Sequence, residues 1–160
     1  MGTNAEFQYL EIPYGENVLA FLGGKWITED GNRENKKKDQ NYHFHNLMEI
    51  AVCRAGTGEI RIDQKYFSYQ EGTVIVVPRN CSHAVMPNFE EESVWEYLYI
   101  KPVDFFEKAY PLEVRKRDQI VEETEERPLV KSKEDARFLA AELNLIMDQY
   151  RIREYGYKNW

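Results

Sequence analysis

Between residues 43 and 100 short apolar or alternating segments follow one another with only polar turns between them. They are His43–Cys53, Glu59–Ile62, Tyr66–Tyr69, Val74–Val77, His83–Met86 and Val94–Ile100. None shows a helical period, and many short strands in close succession fold as an antiparallel sandwich or jelly roll. Asp63-Gln64-Lys65 is a natural hairpin turn, and the run Val74-Ile75-Val76-Val77 reads as a buried strand that Pro78 ends. Two further β-prone segments, Phe7–Ile12 and Val18–Thr28, come first, broken by Pro13 and Gly15, and a polar loop, Glu29–Asn41, separates them from the rest.

All three histidines lie in two short blocks of this strand-rich stretch. The first reads His43-Phe44-His45, three residues, Glu49, six residues, Gly56; the second reads Gly72, five residues, Pro78, then His83. Side chains alternate along a strand, so positions 43, 45 and 49 share parity and point to one side, and the neighbouring strand delivers His83 opposite them. Two or three neutral imidazoles and a carboxylate suit a borderline divalent metal such as Zn, Ni, Mn or Fe, with a position left for water or substrate. The same four groups also suit a hydrogen-bonding pocket without metal. In either case they need a metal, water or ligand to satisfy them once buried.

These blocks resemble the cupin superfamily, whose motifs are His-x-His, three or four residues, Glu, six residues, Gly, and then Gly, five residues, Pro-x-Gly, two residues, His. The stretch His45-Asn46-Leu47-Met48-Glu49-Ile50 with Arg54-Ala55-Gly56-Thr57-Gly58-Glu59-Ile60 looks most like the effector-binding domain of AraC-type transcription regulators. The chain departs from the pattern at Lys37, where many cupins have the first glycine, at Asn80, which replaces the glycine after the proline, and at Thr73 after Gly72. Asparagine tolerates positive φ, so Asn80 can serve the same turn. The resemblance implies a mainly β fold: a cupin-type antiparallel barrel or jelly roll over residues 1–110, followed over 111–160 by a connector and a helical coupling segment. A DNA-binding helix-turn-helix module would come next, and the end at Tyr157-Lys158-Asn159-Trp160 looks cut in the middle of an element.

The tail supports that division. Ser132 can cap a helix with Asp135 three residues on, and Ala136, Leu139, Leu143, Ile146 and Tyr150 recur down one helical face, with Gly156 as terminator. That face covers the barrel, a second subunit, or both. Val103–Tyr110 suits one or two helical turns after Pro102, and Glu122-Glu123-Thr124-Glu125-Glu126 reads as a solvated connector.

Charge and cysteine usage narrow the class. The formal charge is −7 and the one basic run, Lys36-Lys37-Lys38, reads as a solvated loop, so this chain is a poor nucleic-acid binder by itself. Cys53 and Cys81 read as small buried side chains rather than a disulfide framework. With neither a leader nor an apolar run of membrane-spanning length, a cytoplasmic protein is the expectation.

On the last strand Trp95, Tyr97 and Tyr99 share one face and Val94, Glu96, Leu98 and Ile100 the other. The aromatic face suits either an ordinary core or recognition of a small polar molecule by stacking and hydrogen bonding. Arg54 stands where the regulators resembled here often carry arginine, and is either a ligand partner or a surface residue. The functional expectation is therefore a sensory module. A sugar-like or other polar effector binds through Arg54, Trp95, Tyr97 and Tyr99 and biases a DNA-binding module, in a homodimer. The alternative is a metal-dependent cupin enzyme: a dioxygenase, isomerase or decarboxylase.

Overall fold

The computed structural model describes residues 4–27, 42–88, 90–109 and 114–158. Nine strands come first: β1 (Glu6–Gln8), β2 (Leu19–Ile27), β3 (His43–His45), β4 (Met48–Ala55), β5 (Gly58–Ile62), β6 (Lys65–Tyr69), β7 (Val74–Val77), β8 (His83–Pro87) and β9 (Glu92–Ile100). Helices α1 (Pro102–Ala109) and α2 (Val114–Glu126), strand β10 (Leu129–Lys131) and helix α3 (Arg137–Lys158) complete the order. The polar loop expected over 29–41, with Lys36, Lys37 and Lys38, lies outside the described residues, as do Thr28, Tyr110, Asn159 and Trp160.

Two sheets form, with strand orders β1-β3-β8-β5-β6 and β10-β7-β4-β9-β2. Every pairing is antiparallel except β1 with β3. This is the expected jelly-roll barrel followed by a helical segment. The hairpin between β5 and β6 turns at Asp63, whose φ is +52°, and Asn80 takes φ +59°, the conformation that the family glycine would supply.

The core comes in two layers. Between the sheets pack Ala51, Cys53, Ile60, Ile62, Val77 and Trp95, among others, all buried. On the outer face of the second sheet, Val52, Val74 and Leu98 pack against Ala136, Leu143 and Met147 of the α3 region, with Leu139, Ile146 and Tyr150 partly buried there. The predicted apolar helix face thus covers its own barrel. Because β4, β7 and β9 are buried on both sides, Val74–Val77 is continuously apolar rather than alternating. The opposite side of α3 leaves Phe138, Leu145 and Ile152 exposed at 79%, 62% and 71%, one above another at a seven-residue repeat.

Several expectations need correction. The single strand expected over His43–Cys53 is two, β3 in one sheet and β4 in the other. Leu47, fully buried, and Asn46 occupy the crossing between them. The strand expected over Phe7–Ile12 shortens to β1, because the Asn46 side chain takes the backbone of Leu10, accepting from its N–H at 2.8 Å and donating to its carbonyl at 2.9 Å. Glu122–Glu126 is not a loop but the last turns of α2, where buried Val121 anchors a helix rich in good helix formers. Gly156 lies inside α3 instead of ending it, whereas Ser132 accepts from the Asp135 N–H at 3.3 Å as the capping pattern predicts. Strand β10 was not foreseen; three residues on the edge beside β7 are too short for a periodic signal. No helix among the described residues is long and apolar enough to cross a membrane.

Candidate functional site

His43 and His45 project from β3, His83 from β8 and Glu49 from β4, so the cluster spans the gap between the two sheets. His43 is paired directly with His83 across the β3–β8 ladder. The ring centroids of His43 and His83 are 4.4 Å apart and those of His45 and His83 5.0 Å. One ligand atom from each of the four residues falls within 4.8 Å of all the others. His45, Glu49 and His83 are each 1% exposed.

The hydrogen-bond pattern fixes the chemistry of these donors. His45 Nδ1 lies 2.7 Å from the Leu47 carbonyl and His83 Nδ1 2.9 Å from the Cys81 carbonyl. A carbonyl only accepts, so both Nδ1 atoms carry hydrogen and donate. Each Nε2 then faces the same carboxylate oxygen, Glu49 Oε2, at 3.0 Å from His45 and 3.2 Å from His83. In a neutral ring that nitrogen is a lone pair, and a lone pair facing a carboxylate oxygen is repulsive unless a proton or a cation lies between them. Glu49 Oε1 meanwhile has no hydrogen-bond partner among the described residues. Backbone carbonyls that fix both rings through Nδ1, with the remaining donors converging on a buried carboxylate, are the outer support that metal-ligating histidines require. The residues present therefore fit a divalent cation.

Without a cation, a proton takes its place between the carboxylate and the rings. Burial pushes the Glu49 carboxyl up, but the charge of His83 and the hydrogen bonds of both histidines outweigh it and hold the carboxyl well below its usual range. Burial presses the His83 imidazole down, and the facing Glu49 charge overcomes it to leave the pKa above its usual value. Tyr99, edge-on to His45 at 5.2 Å between centroids, is kept a neutral phenol by burial and by the Glu49 charge.

A cavity of about 290 Å³ opens onto this cluster. His43, Glu49 and His83 form its polar floor, Leu10, Leu19, Phe21 and Val85 its apolar wall, and Tyr97, Tyr99 and Gln8 complete it. Of the residues expected to bind ligand, Tyr97 and Tyr99 are in the cavity, with rings parallel to within 9° and 6.1 Å apart. Trp95 shares their face but not the cavity: it is fully buried, edge-on to Tyr69 at 5.0 Å, in the core between the sheets. Arg54 lies on the opposite face of β4. Its Nε donates to Glu96 at 2.7 Å and its NH2 group to Asn144 at 2.6 Å, and Arg151 bonds the other oxygen of Glu96. The expected ligand partner instead ties the barrel to α3.

The sequence reading missed Gln8, Leu10, Leu19, Phe21 and Val85. A signal existed for two of them, since Leu19 and Phe21 share parity on β2 and Phe21 is paired with Tyr97. The cysteines stay outside the donor cluster found among the described residues. Burial pushes the Cys53 thiol up to about 11 and the Cys81 thiol up to about 12, so neither is a ready thiolate.

No curated protein matches the chain. Among solved structures, the plu4264 protein from Photorhabdus luminescens is 25% identical over 41% of this chain and 54% of its own, with a TM-score of 0.37. ToxT from Vibrio cholerae is 10% identical over 84% of this chain and 56% of its own, at 0.39. Oxalate decarboxylase from Bacillus subtilis is 12% identical over 74% and 34%, at 0.36. The chain thus spans about half the length of the first two and a third of the last. The family described as the AraC-like ligand binding domain matches residues 33–147, a stretch that contains every histidine, Glu49, both cavity tyrosines and the first half of α3. On that match this chain belongs to the AraC-like ligand-binding domain family.

Proposed function

We propose that this chain is the effector-sensing part of an AraC-type transcription regulator, and that its effector is a small polar metabolite held over the histidine cluster by Tyr97 and Tyr99. The observation that carries this reading is a metabolite-sized cavity joining an apolar wall to one polar floor. A sugar-like ring suits it, since the parallel tyrosines present a flat face for stacking while phenol, imidazole and the Gln8 amide serve hydroxyl groups. Screening small polyols and sugars by thermal shift is expected to return a compound that raises Tm, because a ligand bound only by the folded state stabilises it by about 2.7 kcal/mol at a hundred times its Kd. Tyr97→Ala should remove most of that shift. A full response in the variant would place the effector elsewhere.

The donor set supports a divalent metal, Zn, Ni, Mn or Fe, held by His43, His45, Glu49 and His83. Bound there it supplies a Lewis-acidic anchor for an effector oxygen. The chain's own part is to hold the rings through Leu47 and Cys81 and to wall the site with Leu10, Leu19 and Phe21. The same four donors favour a second reading, a metal-dependent cupin dioxygenase, isomerase or decarboxylase. The compound that raises Tm separates the two: a regulator returns it unchanged after incubation with metal-loaded protein, whereas an enzyme converts it.

The exposed side of α3 supports a homodimer in this reading. The exposed stripe of Phe138, Leu145 and Ile152 is the surface such a homodimer would bury, and DNA contact would fall to a module other than this acidic chain. Sedimentation should give a dimer that Leu145→Glu splits, and mobility shift at near-physiological salt should give no sequence-selective complex. A monomer, or selective DNA binding by these residues alone, would count against this assembly.

A further inference from the structure

Strand β2 carries a local irregularity whose position decides the shape of the cavity. Leu19 and Phe21 line the cavity, so strict alternation would turn residue 23 inward next. Instead the register to β9 shifts between Leu22 and Gly24. Gly23 absorbs the extra residue at φ +89°, a conformation that L side chains rarely adopt. Gly24 is thereby the residue that faces inward, opposite Trp95.

A side chain at Gly24 has no room there. Its Cβ would lie 2.8 Å from Tyr97 Cε2, 3.3 Å from Phe21 Cε1 and 3.5 Å from the Trp95 carbonyl oxygen. The Tyr97 ring is hemmed in along its own strand, stacked with Trp95 at 6.4 Å on one side and with Tyr99 at 6.1 Å on the other. Trp95 is fully buried. The open side of the Tyr97 ring is the cavity it already lines, so a ring pushed off Gly24 moves that way.

We infer that Gly24, turned inward by the bulge at Gly23, sets how far the Tyr97 ring stands in the cavity and so the size of the molecule the cavity accepts. Gly24 is a positioning residue: it acts through Tyr97. The size consequence rests on the effector reading given above, whereas the ring displacement does not.

The experiment is the Gly24→Ala chain, examined by crystallography and by thermal shift with a graded set of polyols and aldoses from glycerol to glucose. The Tyr97 ring is expected to move into the cavity by roughly 1 Å, the distance needed to restore ordinary carbon–carbon contact. The larger compounds should lose their shift while the smaller ones keep it. A ring that stays in place overturns the inference, and so does a displaced ring with an unchanged size range. If no compound in the set binds the unaltered chain, the sugar-like reading fails and the ring position alone decides for or against Gly24. Should Gly24→Ala not fold, the double variant Gly24→Ala/Tyr97→Leu, which lacks the obstructing ring atom, should fold and melt like Tyr97→Leu alone. Failure of the double variant as well would place the obstruction elsewhere and overturn the inference.

Discussion

Trp95→Ala is expected to lower the unfolding free energy by about 3–5 kcal/mol, the largest loss of any single substitution on β9. The indole is fully buried between the sheets, edge-on to Tyr69 and stacked with Tyr97. Its truncation leaves a void that close-packed neighbours fill only in part. For a domain of this size the loss corresponds to a fall in Tm of roughly 6–20 °C. Trp95→Phe keeps an aromatic ring in the same place and should recover part of the stability. Urea unfolding of both variants is the measurement. A loss in Trp95→Ala below about 1 kcal/mol, accompanied by loss of effector response, would return Trp95 to the binding site and remove it from the core.

Trp95 also marks where strand parity stops being informative. Alternation correctly set Trp95, Tyr97 and Tyr99 on the inner face of β9, but an inner face has a packed end and an open end. The difference between them depends on which partner strand stands opposite. Tyr69 and Ser93 close one end, their hydroxyls 2.5 Å apart, and the histidines stand at the other. Parity alone did contain the answer for Arg54: with Glu49, Ala51 and Cys53 inward, position 54 turns outward. The family resemblance drew it to the ligand instead. Glu49 does stand beside the histidines, but not through shared parity on one strand: His45 and Glu49 lie on strands of different sheets and meet because the inner faces oppose each other. At 122–126 charge alone suggests a solvated connector, whereas the helix propensity of glutamate carries α2 through the run. The cavity wall went unread because Leu10, Phe21 and Val85 come from three separate segments that only the closed barrel brings together.

The second large effect concerns the cluster, where stability against pH distinguishes its two states. Without metal, the attraction between Glu49 and His83 stabilises the fold only while the carboxylate is charged and the imidazole protonated. The lowered Glu49 pKa contributes stability that is present above its unfolded value near 4.5 and is lost as pH falls through the folded value. The raised His83 pKa contributes stability that is full below its unfolded value of 6.5 and is lost as pH rises through the folded value. A metal-free cluster is thus most stable between those limits and weakens above neutrality. A metal-bound cluster behaves oppositely on the alkaline side, because ligating imidazoles are neutral and protons compete with the cation, so stability climbs through the histidine range and does not fall beyond it. Protein purified without a histidine tag or chelator is expected to hold one divalent ion per chain and to follow the second profile, gaining about 4 kcal/mol with free ion at a thousand times its Kd. His43→Ala/His45→Ala removes two of the four donors and should hold only traces, with the alkaline gain gone. Elemental analysis of the two proteins, joined to unfolding curves from pH 5 to 9, decides the matter: equal traces in both, with stability falling above neutrality in the unaltered chain, would show that Glu49 and the histidines hold the effector by hydrogen bonds alone.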